Sequence, residues 1–176
     1  MTTSIFALDE ILGLPAHPFL VHAAVVLIPL AAVTMLLSLW KKLRRPMLWA
    51  TAALAVLGAV FVLAAANTGE ALQERVESTS DRAKVEAHAE AGERAQAPAV
   101  LFAGAAVLAL GAELLRDRDS TFKGKKMPGW APSVLLAATI VTGAVSAYTV
   151  YDAGHSGAKS VWDQTPAKTS EDDDDD

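Results

Sequence analysis

Leu14-Pro15-Ala16-His17-Pro18-Phe19-Leu20-Val21-His22 runs without a break into an apolar stretch that reaches Trp40. A hydrocarbon core about 30 Å thick is crossed by a helix of roughly 20 mostly apolar residues. Residues 19–40 meet that length, and 47–66, 98–115 and 130–151 repeat it or come close. Charged loops separate the four stretches, and a chain of 176 residues is too short to bury four such helices in a soluble core. A signal peptide would begin with a basic region. Residues 1–18 instead hold Asp9 and Glu10 and no Lys or Arg, so the first stretch reads as a span. The fold class that follows is all-α, an integral membrane four-helix bundle, with the lipid bilayer as its first partner.

Lys and Arg in short loops stay on the cytoplasmic side. Lys41, Lys42, Arg44 and Arg45 fill the first loop, and Arg116, Arg118, Lys123, Lys125 and Lys126 the third. Both termini are therefore expected on the outer, extracytoplasmic side of a bacterial plasma membrane. Trp40, Trp49 and Trp130 flank the basic loops, where amphipathic indoles settle.

The expected division is an outer segment over 1–18, a transmembrane domain over 19–152 with an outer helical loop at 67–97, and an outer tail over 153–176. Ile5, Phe6, Leu8, Ile11 and Leu12 recur at helical spacing, which predicts a short surface helix ending at Pro15. Pro18 opens the first span, leaving His17 just outside it and His22 about a turn within. Pro29 falls mid-span, where a kink is expected. Asn67-Thr68-Gly69-Glu70 reads as the end of the second span, with Gly69 at φ > 0. Ser78-Thr79-Ser80-Asp81 fits a capping box with Ser78 as N-cap. The helix it starts carries His88 on its apolar side and joins the third span at or before Pro98. Gly104 with Gly111, and Gly143 with Ala147, offer small faces for close helix packing. Asp152-Ala153-Gly154-His155-Ser156-Gly157-Ala158-Lys159 reads as a turn carrying His155, and 165–176 as an acidic, disordered end.

The net charge of −5 belongs almost wholly to the aspartates at 172–176, so the near-neutral body points away from nucleic acid. The absence of cysteine removes disulfides, thiolate metal sites and cysteine nucleophiles. No phosphate loop, serine nucleophile elbow or carboxylate pair is legible, so no enzyme class is indicated. Glu113 is expected to snorkel and pair with Arg116.

The chemistry that remains is that of four histidines, all expected on the outer side. A b-type haem needs two imidazoles from different helices facing each other at one depth, which nominates His22 with His88 or His155. A divalent metal needs three or four N/O ligands, which nominates His17, His88, His155 and Glu70. His17 and His22 stand about 140° apart around a helix, so they do not form a one-face pair. The leading expectation is that the histidine cluster binds haem or a metal ion at the outer face, as a membrane redox or metal-handling component; the alternative is a non-catalytic membrane scaffold or interaction subunit whose histidines are structural. Proton sensing near the imidazole pKa is a further reading.

His17-Pro18 with Val21-His22, then Thr68-Gly69-Glu70, then His88, then Gly154-His155-Ser156-Gly157-Ala158 occur in an order that resembles a bacterial family of predicted four-helix membrane proteins, domain of unknown function 2231. Where many members have Phe-Pro after the second histidine, this chain has Ala23-Ala24. The resemblance implies the membrane fold. It also implies a redox setting with an extracytoplasmic redox protein as partner, because relatives accompany or carry Rieske-type modules. It supplies no reaction.

Overall fold

A computed structural model describes residues 10–11, 13–76, 81–117 and 128–162. Four helices carry the fold: α1 (Ala16–Leu37), α2 (Arg44–Val76), α3 (Arg82–Asp117) and α4 (Ala131–Trp162). Each contains a stretch long and apolar enough to cross a membrane. Neighbours in sequence pack against each other, and α4 closes the ring against α1. The first pair runs antiparallel, since late α1 meets early α2 at Thr34 and Thr51 (Oγ1 to Oγ1 3.0 Å) and early α1 meets late α2 at His17 and Ala65.

The interior is built from small side chains. Ala24, Ala31, Ala52, Ala55, Ala59, Ala95, Ala99, Ala103, Ala106 and Ala109 are buried, with Ile28, Met35, Leu48 and Phe102 filling between them. Val26, Leu30 and Val33 on α1, Leu57 and Val60 on α2, Leu101 and Leu108 on α3, and Val141 and Val145 on α4 point outward. An apolar exterior around a small-residue interior suits helices in lipid, where close backbone approach replaces the hydrophobic drive to associate. Gly58 and Gly143 mark the tightest crossings. A Cβ at Gly58 would sit 2.6 Å from Ile28 Cδ1, and one at Gly143 2.8 Å from Phe102 Cε2. Gly104 faces outward, and neither it nor Gly111 has anything within 4 Å of a built Cβ, so that expected packing pair does not serve the bundle.

Several expected boundaries move. Glu10–Ile11 pairs antiparallel with Leu14–Pro15 around Gly13, whose φ is 78°, so the surface helix does not extend through 10–11. Residues 1–9 and 12 lie outside the described residues. Pro15, with φ −52° and ψ 130°, stands at the N-cap, which draws His17 into the first turn of α1. Pro18 remains within that turn, where its missing N–H has no carbonyl to leave unpaired.

α2 does not stop at Gly69 but continues to Val76, and the only positive-φ glycine among the described residues is Gly13. The predicted turn after the fourth span is helix too, since α4 runs on to Trp162. The expected cap Ser78 lies outside the described residues. Asp81 fills that role, its Oδ1 accepting the Ala83 N–H at 3.1 Å and its carbonyl those of Lys84 and Val85. α3 then passes through Pro98 to Asp117. At ~1.5 Å per residue, α2, α3 and α4 are each ~48–54 Å long, well beyond the ~30 Å hydrocarbon thickness. Their excess over the apolar stretches lies at one end of the bundle, the end where α1 begins.

Candidate functional site: a pair of imidazoles where four helices meet

His17 leaves the first turn of α1 toward α2, and its Nδ1 lies 2.8 Å from the Ala65 carbonyl oxygen. A carbonyl only accepts, so Nδ1–H is the donor. The ring packs against Gly69, one turn further along α2. A Cβ there would be 3.0 Å from His17 Cε1 and 3.1 Å from Nδ1. Gly69 is thus retained inside a helix because a ring occupies the place of its side chain.

His88 repeats the arrangement between α3 and α4. Its Nδ1 lies 3.1 Å from the Ala153 carbonyl oxygen and 3.2 Å from Ser156 Oγ. The Ser156 hydroxyl itself donates to Ala153 O at 2.9 Å, so the Ala153 oxygen gathers both groups. The His88 ring covers Gly157, where a Cβ would be 2.9 Å from Cε1. The two rings then meet each other edge to face, centroids 5.9 Å apart and planes at 80°. Both are half-buried. The α1–α2 tie and the α3–α4 tie therefore join through one contact.

His22 and His155 stand apart. His22 is exposed, and its Nδ1 donates to the Pro18 carbonyl oxygen of its own helix at 2.6 Å. His155 is exposed on α4 and stacks on Tyr151, one turn before it, with centroids 5.9 Å apart and planes 11° apart. The expected haem pairing of His22 with His88 or His155 is not formed, because the ring that His88 meets is that of His17. The expected metal set of His17, His88, His155 and Glu70 is not assembled either. Glu70 and His155 are exposed, and among the described residues no group of three or more His, Asp or Glu is placed to hold a metal ion.

Five residues complete the site without having been singled out as ring partners: Ala65, Gly69, Ala153, Ser156 and Gly157. The signal for the glycines was present in the order of the motifs, Gly69 following His17 and Gly157 following His88. Their reading as turn formers hid it. Away from this end, Glu113 pairs with Arg116 at 3.5 Å as its position near a span end suggested. Thr34 and Thr51 join α1 to α2, and Ser146 is fully buried with its hydroxyl unpartnered among the described residues.

Comparison with known proteins adds one match. A family model described as "Predicted membrane protein (DUF2231)" matches residues 13–168. No curated protein matches, and no solved structure does. The matched stretch takes in every helix and all four histidines.

Proposed function

The chain belongs to the DUF2231 family of predicted membrane proteins, and from that premise we propose that it is a non-catalytic membrane scaffold whose histidines serve structure. The observation that supports this reading is the double tie. His17 and His88 each donate Nδ1–H to a carbonyl on the next helix and lie over a glycine there. Imidazoles committed in this way fix how α1–α2 sits against α3–α4, and they hold rigid the end where three helices outrun the bilayer. That projecting end is the surface a partner would use. By the distribution of Lys and Arg it faces outward from a bacterial plasma membrane, and an extracytoplasmic redox protein is the partner that fits a redox setting.

Haem ligation is the reading against which the scaffold is tested. A reduced-minus-oxidised visible spectrum of the protein, purified in mild detergent from haem-supplied cells, is expected to be featureless. His88→Ala is expected to lower the melting temperature, since it removes a part-buried hydrogen bond to Ala153 O, of a kind worth about 0.5–1.5 kcal/mol, together with the ring packed on Gly157. A Soret band with sharp α and β bands, abolished by His88→Ala, would overturn the scaffold.

A further inference from the structure

We propose that the His17–His88 contact is an acid-sensitive latch: neutral rings hold α1–α2 against α3–α4 at the projecting end, and protonation of both releases the two helix pairs there. The inference rests on the structural role proposed above and gives it a regulation. Its first support is the way each ring is tied. Ala65 O and Ala153 O can only accept, so each Nδ1 carries a proton, and the next proton a ring takes goes to Nε2. A ring protonated at Nε2 is still a donor at Nδ1. Acid therefore leaves the α1–α2 tie and the α3–α4 tie in place. It acts on the contact that joins them, the two rings with centroids 5.9 Å apart.

The second support is what surrounds the rings. A single proton sets one charge beside a neutral ring. A second sets like charges side by side in a half-buried place, where screening is weaker than in open solvent. Of the described ionisable groups around this end, Lys84 on α3 and Asp152 on α4 are half-buried. Glu10, His22 on α1, Glu70 on α2, Arg82, Glu86, Glu90, Glu93 and Arg94 on α3, and His155 and Lys159 on α4 are exposed. Among the described residues no carboxylate bonds either ring; their partners are two carbonyls, the Ser156 hydroxyl and each other. Burial, and after it the charge of His17, hold the His88 imidazole, well ahead of the apolar stretch 98–115, below its ordinary value of 6.5, and the bond to Ala153 offsets part of this. A base that binds its proton more weakly folded than unfolded costs stability as pH falls through its ordinary value, so the latch loosens on the acid side. Deeper in the bundle Val25 of α1 lies over Gly154 of α4, 3.3 Å from a built Cβ, an apolar contact that confines the release to the end beyond it.

The test measures distances between paired spin labels on the full chain in lipid nanodiscs, by electron–electron double resonance, the chain having no cysteine of its own. Labels at Asn67→Cys on α2 and Lys159→Cys on α4, both exposed, report one helix pair against the other. Labels at Glu90→Cys on α3 and Lys159→Cys report α3 against α4 within one pair. From about pH 7.5 to about pH 4.5, either side of the ordinary imidazole value of ~6.5, the first distance is expected to widen and the second to stay constant. Asparagine keeps an N–H near the place of Nδ1 and does not titrate, so His17→Asn and His88→Asn are each expected to remove the pH dependence. His22→Asn and His155→Asn are expected to retain it. A first distance that stays constant with all four histidines present, a widening of both distances together, or a widening that survives the His17→Asn/His88→Asn double variant would overturn the latch. None of these results touches the scaffold reading, which fails instead on a haem spectrum.

Discussion

At the scale of single residues, glycines divide into those with a neighbour in the place of a side chain and those without. Gly69 and Gly157 hold the imidazoles of His17 and His88, with a built Cβ at 3.0 Å and 2.9 Å from the nearest ring atom. Gly69→Ala or Gly157→Ala therefore displaces a ring whose Nδ1 is bonded on the same helix, and overpacking of this kind costs typically 1–3 kcal/mol. Gly104→Ala meets open space and gains helix propensity, by up to about 1 kcal/mol. The expected order of melting temperatures in detergent is Gly104→Ala at or above the wild type, with Gly69→Ala and Gly157→Ala below it. Equal values for all three would refute the ring-on-glycine packing. Ser146→Ala tests the opposite situation. Its hydroxyl is buried without a partner among the described residues, and removing an unsatisfied group is expected to leave stability unchanged or raise it.

At the scale of elements, the spans were legible because 20 apolar residues admit one structure in a bilayer. The helix ends were not. Asn67-Thr68-Gly69-Glu70 and Gly154-His155-Ser156-Gly157 carry the residues of caps and turns, yet both lie inside helices. Local preference lost there to tertiary packing. Gly costs a helix only about 1 kcal/mol, and that is offset once the missing Cβ admits a ring or, at Gly154, lets Val25 approach. The polar serines and threonines of these stretches are satisfied within the helix, Thr68 donating to Ala64 O at 3.0 Å. Where no such packing competes, capping chemistry held, only three residues later than expected. Asp81 closes the start of α3 through Ala83 N–H, and losing an N-cap side chain costs about 0.5–2 kcal/mol. In Asp81→Ala the first-turn amides of α3 are expected to exchange with deuterium faster than in the wild type, while those around Phe102 stay protected. Unchanged exchange at 83–85 would mean that the cap contributes nothing.

At the scale of the whole molecule, the two ends of the bundle differ in kind. At one, α1 and α2 are joined through Lys41, Lys42, Arg44 and Arg45 close to their apolar stretches. At the other, α2, α3 and α4 run on and the two imidazoles meet. That only His17 and His88 meet, with His22 and His155 apart, was beyond the sequence, because which face of a long helix a residue occupies depends on its crossing with its neighbours. The end at which they gather was readable from the alternation of spans. The outward orientation proposed for that end rests on Lys and Arg in the short loops, since acidic residues such as Glu86, Glu90 and Glu93 on α3 contribute little to orientation. The chain has no cysteine, so single substitutions report without background. Glu90→Cys and Lys159→Cys, both exposed at the histidine end, are expected to react in intact cells with a maleimide that does not cross membranes. Lys42→Cys, exposed at the opposite end, is expected to react only after the membrane is opened. The reverse pattern would place the imidazole pair on the cytosolic side, and the partner proposed for that end with it.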